Sequence, residues 1–283
     1  MAADLDQTLI YSLRAAGAGP DDENLECVEH YDGRPLSFLT RRAGHLLTEL
    51  GARALLVPTT TRTRAQLARV RLPGPPPRYA VAANGGFLLV DGRPDLDWTQ
   101  DLTAGLARAG APLEEVRGHV AAVLTEDFTT SLRCAEDLFL YAVVVRDRLP
   151  DGLVETLHDW AARRGWGVSL QGRKLYFVPA GLTKAAAVGE IARRTGARVV
   201  LATGDSLLDR GLLDAADAAV RPAHGELHAT GWAPRHVTVT TSSGIAAGEE
   251  ILSWLLARVS APESRNYGPG QSRWAECRGD DLG

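Results

Sequence analysis

The stretch "VVLATGDSLLD", Val199 to Asp209, decides how the chain is read. A short β-branched and apolar run passes straight into a Gly-Asp-Ser turn and then into "RGLLDAAD", whose apolar residues recur at helical spacing. A strand handing over to a helix through one tight turn is the building unit of a parallel α/β sheet. Two readings of its acidic residues are open at this point. Asp205 and Asp209 can cap and decorate a surface helix, or they can offer oxygen ligands to a hard cation.

Working outward, the same alternation recurs. Candidate strands are "ARALLVPTT" (52–60), "RYAVAAN" (78–84), "ADAAVRP" (216–222) and "RHVTVTT" (235–241). Between them, "SFLTRRAGHLLTEL" (37–50) and "TKAAAVGEIARRTG" (183–196) have helical spacing, the second ending on a glycine suited to a helix C-terminus. Each crossover is expected to be right-handed. From Phe87 to Pro179 the pattern changes. Strand-like "DLFLYAVVV" and "WGVSLQGRKLYFVP" mix irregularly with helical stretches around 118–125 and 153–164. The expected organisation is a core of residues 1–86 and 180–260, an α+β insert over 87–179, and a disordered tail over 261–283. The proline-rich "LPGPPPR" (72–78) is read as a rigid surface connection.

Composition excludes several classes. The 283 residues, 45% of them hydrophobic, are enough for one large α/β domain with an insert. A formal charge of −4 gives no general attraction to nucleic acid or anionic lipid. Cys27, Cys134 and Cys277 are odd in number and lack zinc spacing, which fits reduced thiols. The first residues lack a basic flank with an apolar run, and no apolar stretch reaches membrane-spanning length, so a cytoplasmic protein is expected.

In a parallel sheet, ligands bind beyond the carboxyl ends of the strands, where three further polar clusters fall. "DLDQT" (4–8) puts Asp4 and Asp6 on one side of a short strand, as a solvated turn or as a working pair of carboxylates. "VPTTTRT" (57–63) ends an apolar strand at Thr60, with Arg62 beyond; Thr60 can be a helix cap or an anion-facing hydroxyl. Lys184 opens a helix, where a cation is electrostatically mismatched unless an anion lies near.

In order along the chain, "DLDQT", "VPTTTRT", "LTK" and "GDSLLD" resemble the four-part signature of the haloacid dehalogenase superfamily. "AANGGFLLVDG" (82–92) looks like the Asn-Gly segment of the subgroup with a large α/β cap, and the insert sits where that cap belongs. The resemblance implies a Rossmann-like parallel-sheet core with an inserted α+β cap, covering all but the tail. It further implies a Mg²⁺-dependent phosphatase acting on a small phosphorylated metabolite, a sugar phosphate among the candidates, as a monomer or homodimer. Asp4 would be the nucleophile and Asp6 the acid/base, with Thr60 and Lys184 neutralising phosphoryl charge. Mg²⁺ would be held by Asp4, the backbone carbonyl of Asp6 and Asp205, and Asp209 would ligate or orient. Arg62 and Asn84 would stand at the pocket rim; Arg133 and Lys174, with Tyr141 and Arg173, would meet the substrate from the cap. A phosphomutase or phosphotransferase, or a non-catalytic phosphometabolite-binding protein, are the alternatives.

Two departures from the pattern stand out. The residue after the second aspartate is Gln7 where the family usually has glycine, and only three residues precede Asp4, so a native start upstream of Met1 is an expectation. "HGELH" (224–228) lacks the helical spacing of a zinc motif and is read as a loop.

Overall fold

The computed structural model describes residues 1–19 and 21–260. The tail expected to be disordered, with Cys277, lies outside the described residues. The chain divides into two compact units, one of residues 1–94 with 184 onward, the other Asp95–Thr183.

The first unit begins with β1 (Ala2–Ala3), α1 (Leu13–Ala16) and a hairpin of β2 (Leu25–Tyr31) and β3 (Arg34–Thr40). The hairpin turns at Asp32-Gly33, both with positive φ (49° and 72°), the geometry that an Asp-Gly pair favours. Then follow α2 (Arg41–Arg53), β4 (Val57–Pro58), α3 (Arg64–Leu67), β5 (Tyr79–Ala82), β6 (Phe87–Val90) and β7 (Arg93–Pro94). The helix expected over 37–50 therefore starts later. Ser37–Thr40 is strand, and the Thr40 hydroxyl caps α2 by accepting from the Ala43 N–H at 3.0 Å.

The second unit carries α4 (Leu96–Ala109), α5 (Leu113–Val123), β8 (Thr129–Ala135), β9 (Phe139–Val144), α6 (Leu153–Ala162), β10 (Trp166–Gln171) and β11 (Lys174–Pro179). Its antiparallel sheet runs β10-β11-β9-β8. Leu140, Ala142, Leu175 and Phe177 pair across β9 and β11 and are buried. The insert begins at Asp95 and not at Phe87, because β6 pairs residue for residue with β5 and so belongs to the first unit.

Back in the first unit come α7 (Lys184–Thr195), β12 (Leu201–Thr203), α8 (Arg210–Ala215), β13 (Ala218–Arg221), α9 (Glu226–Ala229), β14 (Val237–Val239) and α10 (Ile245–Ser260). The main sheet is parallel, in the order β14-β13-β12-β1-β4. Around it Leu5, Leu9, Ile10, Leu47, Leu50, Ile251 and Leu255 form a buried cluster. At roughly 1.5–3 kcal/mol per buried aliphatic side chain, Leu5, Leu9 and Ile10 alone fasten the loop after β1 firmly to the core.

"RYAVAAN" is not a strand of that sheet. Its Tyr79–Ala82 heads an antiparallel three-stranded sheet, β5-β6-β7, joined to the main sheet by one parallel bridge, Thr59 to Val81. The chain reverses immediately afterwards at Ala83, Asn84 and Gly85, all with positive φ, so no crossover helix follows. Register does the rest of the positioning. Ala3 pairs with both Thr203 and Pro58, so the next residues, Asp4, Gly204-Asp205 and Thr59-Thr60, emerge together at one end of the sheet.

Candidate active site

Asp4 leaves β1 buried, its N–H donating to the Thr203 carbonyl at 3.0 Å. The Thr8 hydroxyl donates to Asp4 Oδ2 at 3.2 Å, fixing one carboxylate oxygen from the turn that follows. That turn needs a left-handed residue, and Gln7 supplies it with φ 60°, which is why glycine suits this position and glutamine is strained there. His224 steadies the strained peptide. Its Nδ1 accepts from the Gly244 N–H at 3.0 Å, so Nε2 carries the proton and donates to the Gln7 carbonyl at 2.8 Å. Burial pushes the His224 pKa down, consistent with this neutral tautomer.

Lys184 comes from the first turn of α7 and is fully buried. Its Nζ donates to Asp4 Oδ1 at 2.6 Å and to Asp209 Oδ1 at 2.5 Å. The other Asp209 oxygen accepts from the backbone N–H groups of Asp205 (3.2 Å) and Ser206 (3.0 Å) and from the Ser206 hydroxyl (2.7 Å). Both oxygens of Asp209 are therefore occupied in holding the lysine and the Asp205 turn. Two glycines permit the approach. A Cβ on Gly204 would lie 2.4 Å from Asp209 Cγ, and one on Gly225 would lie 2.6 Å from Asp205 Oδ2.

Charge is the site's main feature. One oxygen from each of Asp4, Asp205 and Asp209 lies within 4.8 Å of the others, and all three residues are buried. Three carboxylates against the single ammonium of Lys184 leave a formal −2. Burial pushes the Asp4 pKa up to about 7, with Lys184 opposing, and burial together with the Asp4 charge raises Asp205 well above the ordinary range. Hard oxygen donors with an uncompensated double negative charge fit a divalent cation such as Mg²⁺.

Asp6 stands apart from this knot and is half-exposed. Arg62 grips it bidentately, Nε to Oδ2 and Nη2 to Oδ1, both at 2.7 Å. The same guanidinium reaches Glu29 Oε2 through Nη1 at 2.8 Å and the Ser37 hydroxyl through Nη2 at 3.3 Å. Glu29 is buried on β2, accepts from the Ser37 hydroxyl at 2.6 Å and from Arg69 Nε at 3.1 Å, and lies at a bulge in the β2–β3 pairing. Sequence reading picked out neither Glu29 nor Ser37, and it placed Ser206 and His224 only within a turn and a loop, without a role.

Thr60 is buried two residues past β4, with its hydroxyl accepting from the Arg62 N–H at 3.1 Å. Asn84 is buried in a left-handed conformation, and its N–H donates to the Thr60 carbonyl at 3.0 Å. These two turns are thus stitched together at the sheet's edge. In the insert, Arg133, Tyr141 and Tyr176 stand opposite one another on β8, β9 and β11, with Ser169 of β10 completing the row. Lys174 Nζ lies 5.5 Å from the Tyr141 ring centroid, on that same face, while exposed Arg173 sits in the β10–β11 turn. "HGELH" is not wholly a loop, since Glu226 opens the short helix α9 and its carboxylate accepts from the Leu207 N–H. Among the described residues, no membrane-spanning helix is present; none is long and apolar enough.

No protein-family model and no curated protein sequence matches this chain. Solved structures do. The sucrose-phosphatase of Synechocystis sp. PCC6803 superposes with a TM-score of 0.62 at 15% identity, over 90% of this chain and 96% of that one. A HAD subclass IIB sugar phosphatase gives 0.56 at 14%, over 91% and 98%, and a Thermoplasma acidophilum protein gives 0.56 at 12%, over 90% and 97%. The fold is therefore the one that these solved structures share. Within it, the second compact unit is inserted between two stretches of the parallel-sheet unit.

Proposed function

We propose that this chain is a Mg²⁺-dependent phosphomonoesterase acting on a small phosphorylated metabolite, a sugar phosphate by preference. The observation that carries it is the buried knot of Asp4, Lys184, Asp205 and Asp209 at the carboxyl end of the parallel sheet, with half-exposed Asp6 beside it. A nucleophile must be held still and an acid/base must meet solvent, and the two aspartates differ in that respect.

In the first half-reaction an Asp4 carboxylate oxygen attacks phosphorus, the bond to the leaving oxygen breaks, and the Asp6 carboxyl gives its proton to that oxygen. In the second, water attacks the phosphorus of the aspartyl-phosphate while Asp6 takes its proton, and Asp4 leaves as carboxylate. Asp4 and Asp205, with the Asp6 backbone carbonyl, would hold Mg²⁺, which supplies Lewis-acid stabilisation of phosphoryl charge. Lys184 orients Asp4 and offsets its charge; Asp209 holds Lys184 and the Asp205 turn. Thr60 is assigned to the phosphoryl oxygens and Asn84 to the wall behind it. Within the insert, Arg133, Lys174 and Tyr141 share one face of the sheet, which offers cationic and hydroxyl groups of the kind that bind hydroxylated or anionic molecules.

The test is hydrolysis of p-nitrophenyl phosphate and a sugar-phosphate panel with and without Mg²⁺. Metal-dependent phosphate release that Asp4→Asn abolishes is expected. Wild-type protein inactive on every substrate in the presence of Mg²⁺ would refute the reading.

A further inference from the structure

Glu29 is a carboxylate buried where a strand's alternation would not put it. In β2, Cys27 pairs with Phe38 and Glu29 with Ser37, so Val28 is an extra residue and the two consecutive side chains Val28 and Glu29 both turn inward. The bulge re-aims Glu29 at Arg62, and Arg69 and Ser37 hold its two oxygens. Arg62 has its fork filled on one side by Glu29 and on the other by Asp6, and only a tenth of its side chain is exposed. A guanidinium so clamped has little capacity left for a phosphoryl group.

We propose that Glu29, acting through Arg62, positions the Asp6 carboxylate for proton transfer, so that Arg62 serves as a positioning residue and not as a ligand of the substrate phosphate. The inference rests on the phosphatase reading and adds to it a residue from the β2–β3 hairpin. Asp6 sits one residue before a strained peptide and carries a half-exposed side chain, so an external brace is what keeps it in one rotamer.

The experiment compares wild type, Arg62→Ala and Glu29→Gln with p-nitrophenyl phosphate, whose leaving group needs little protonation. Formation of the aspartyl-phosphate is then nearly unaffected, whereas its hydrolysis still needs Asp6 as base. Both variants are expected to lose kcat, Arg62→Ala by about 100-fold, with KM falling in proportion so that kcat/KM stays within about twofold, because only the second step is slowed. Each should show a burst of about one equivalent of p-nitrophenol before the slow phase. Guanidinium ion should partly restore Arg62→Ala. A rise in KM at unchanged kcat would make Arg62 a phosphate ligand and overturn the proposal. Loss without a burst, in variants whose unfolding midpoint has dropped, would make the network structural support and overturn it equally. Should Arg62→Ala fail to fold, the isosteric Glu29→Gln carries the same burst test. Wild type inactive on p-nitrophenyl phosphate and on the metabolite panel would instead refute the phosphatase reading, a result distinct from active wild type with burst-free variants.

Discussion

Lys184 Nζ stands 2.6 Å from Asp4 Oδ1, although 180 positions separate the two residues along the chain. With Asp209 on the same ammonium, the contact is a buried ion cluster and not a surface pair. Removing its one cation leaves the carboxylates without compensation. Lys184→Met is expected to destabilise the protein by about 3–5 kcal/mol. Adding Asp209→Asn to that variant should recover part of the loss, as read by urea denaturation; a double variant no more stable than the single one would count against this account.

Stability without metal should depend on pH in a direction set by Asp4. Its folded pKa of about 7 lies above the ordinary 3.8, so between about pH 4 and 7 the folded state binds more protons than the unfolded one. The unfolding free energy therefore falls as pH rises through that window and levels off above it. In EDTA, the Tm should drop from pH 5 to pH 7.5, and Asp4→Asn should flatten the slope. Mg²⁺ should raise the Tm more at pH 7.5 than at pH 5, because protons and the cation compete for the same carboxylates.

Gln7 carries the left-handed strain of the turn between Asp6 and Thr8. Glycine there relieves roughly 1–2 kcal/mol of steric cost and adds back a smaller chain-entropy term, so Gln7→Gly is expected to be neutral to about 1 kcal/mol stabilising. The His224 contact is to the Gln7 backbone and survives the change. A shift of the denaturation midpoint toward lower urea would contradict this.

Arg133 lies in the insert, remote in sequence from the reacting groups, on a strand position facing Tyr141. Its side chain is exposed, so Arg133→Ala should change stability by no more than about 0.5 kcal/mol. A larger shift of the urea midpoint would mean that the row it shares with Tyr141 and Tyr176 supports the insert's sheet.

Much of this was legible in the residues themselves. The parallel sheet and its order of polar clusters follow from apolar runs that end on Asp4, Thr60 and Asp205, because register in a parallel sheet carries such ends to one place. Glu29 was not legible. Alternation predicts every second side chain inward, and the bulge at Val28 breaks that rule with no glycine or proline to mark it. Asp32-Gly33 does signal the hairpin, so the strand was findable even though its buried carboxylate was not. "RYAVAAN" misled for another reason. All four residues of β5 are buried, and a run buried on both faces looks alike in a parallel sheet and in a small antiparallel one. Helix α4 escaped notice although its start is marked by Asp95, whose carboxylate accepts from the Trp98 N–H at 2.9 Å.

The central strand β1 is flanked by β4, made before the insert, and by β12, made after it. At about 5–20 residues per second, a ribosome needs roughly seven to thirty seconds to travel from one flank to the other. For that interval the nascent sheet shows a raw edge, and Asp4 has neither Lys184 nor Asp209 beside it. Until β12 is made, that edge of β1 offers unpaired backbone groups to any other strand, so the order of synthesis and not the finished contacts sets when the sheet is most exposed to mispairing.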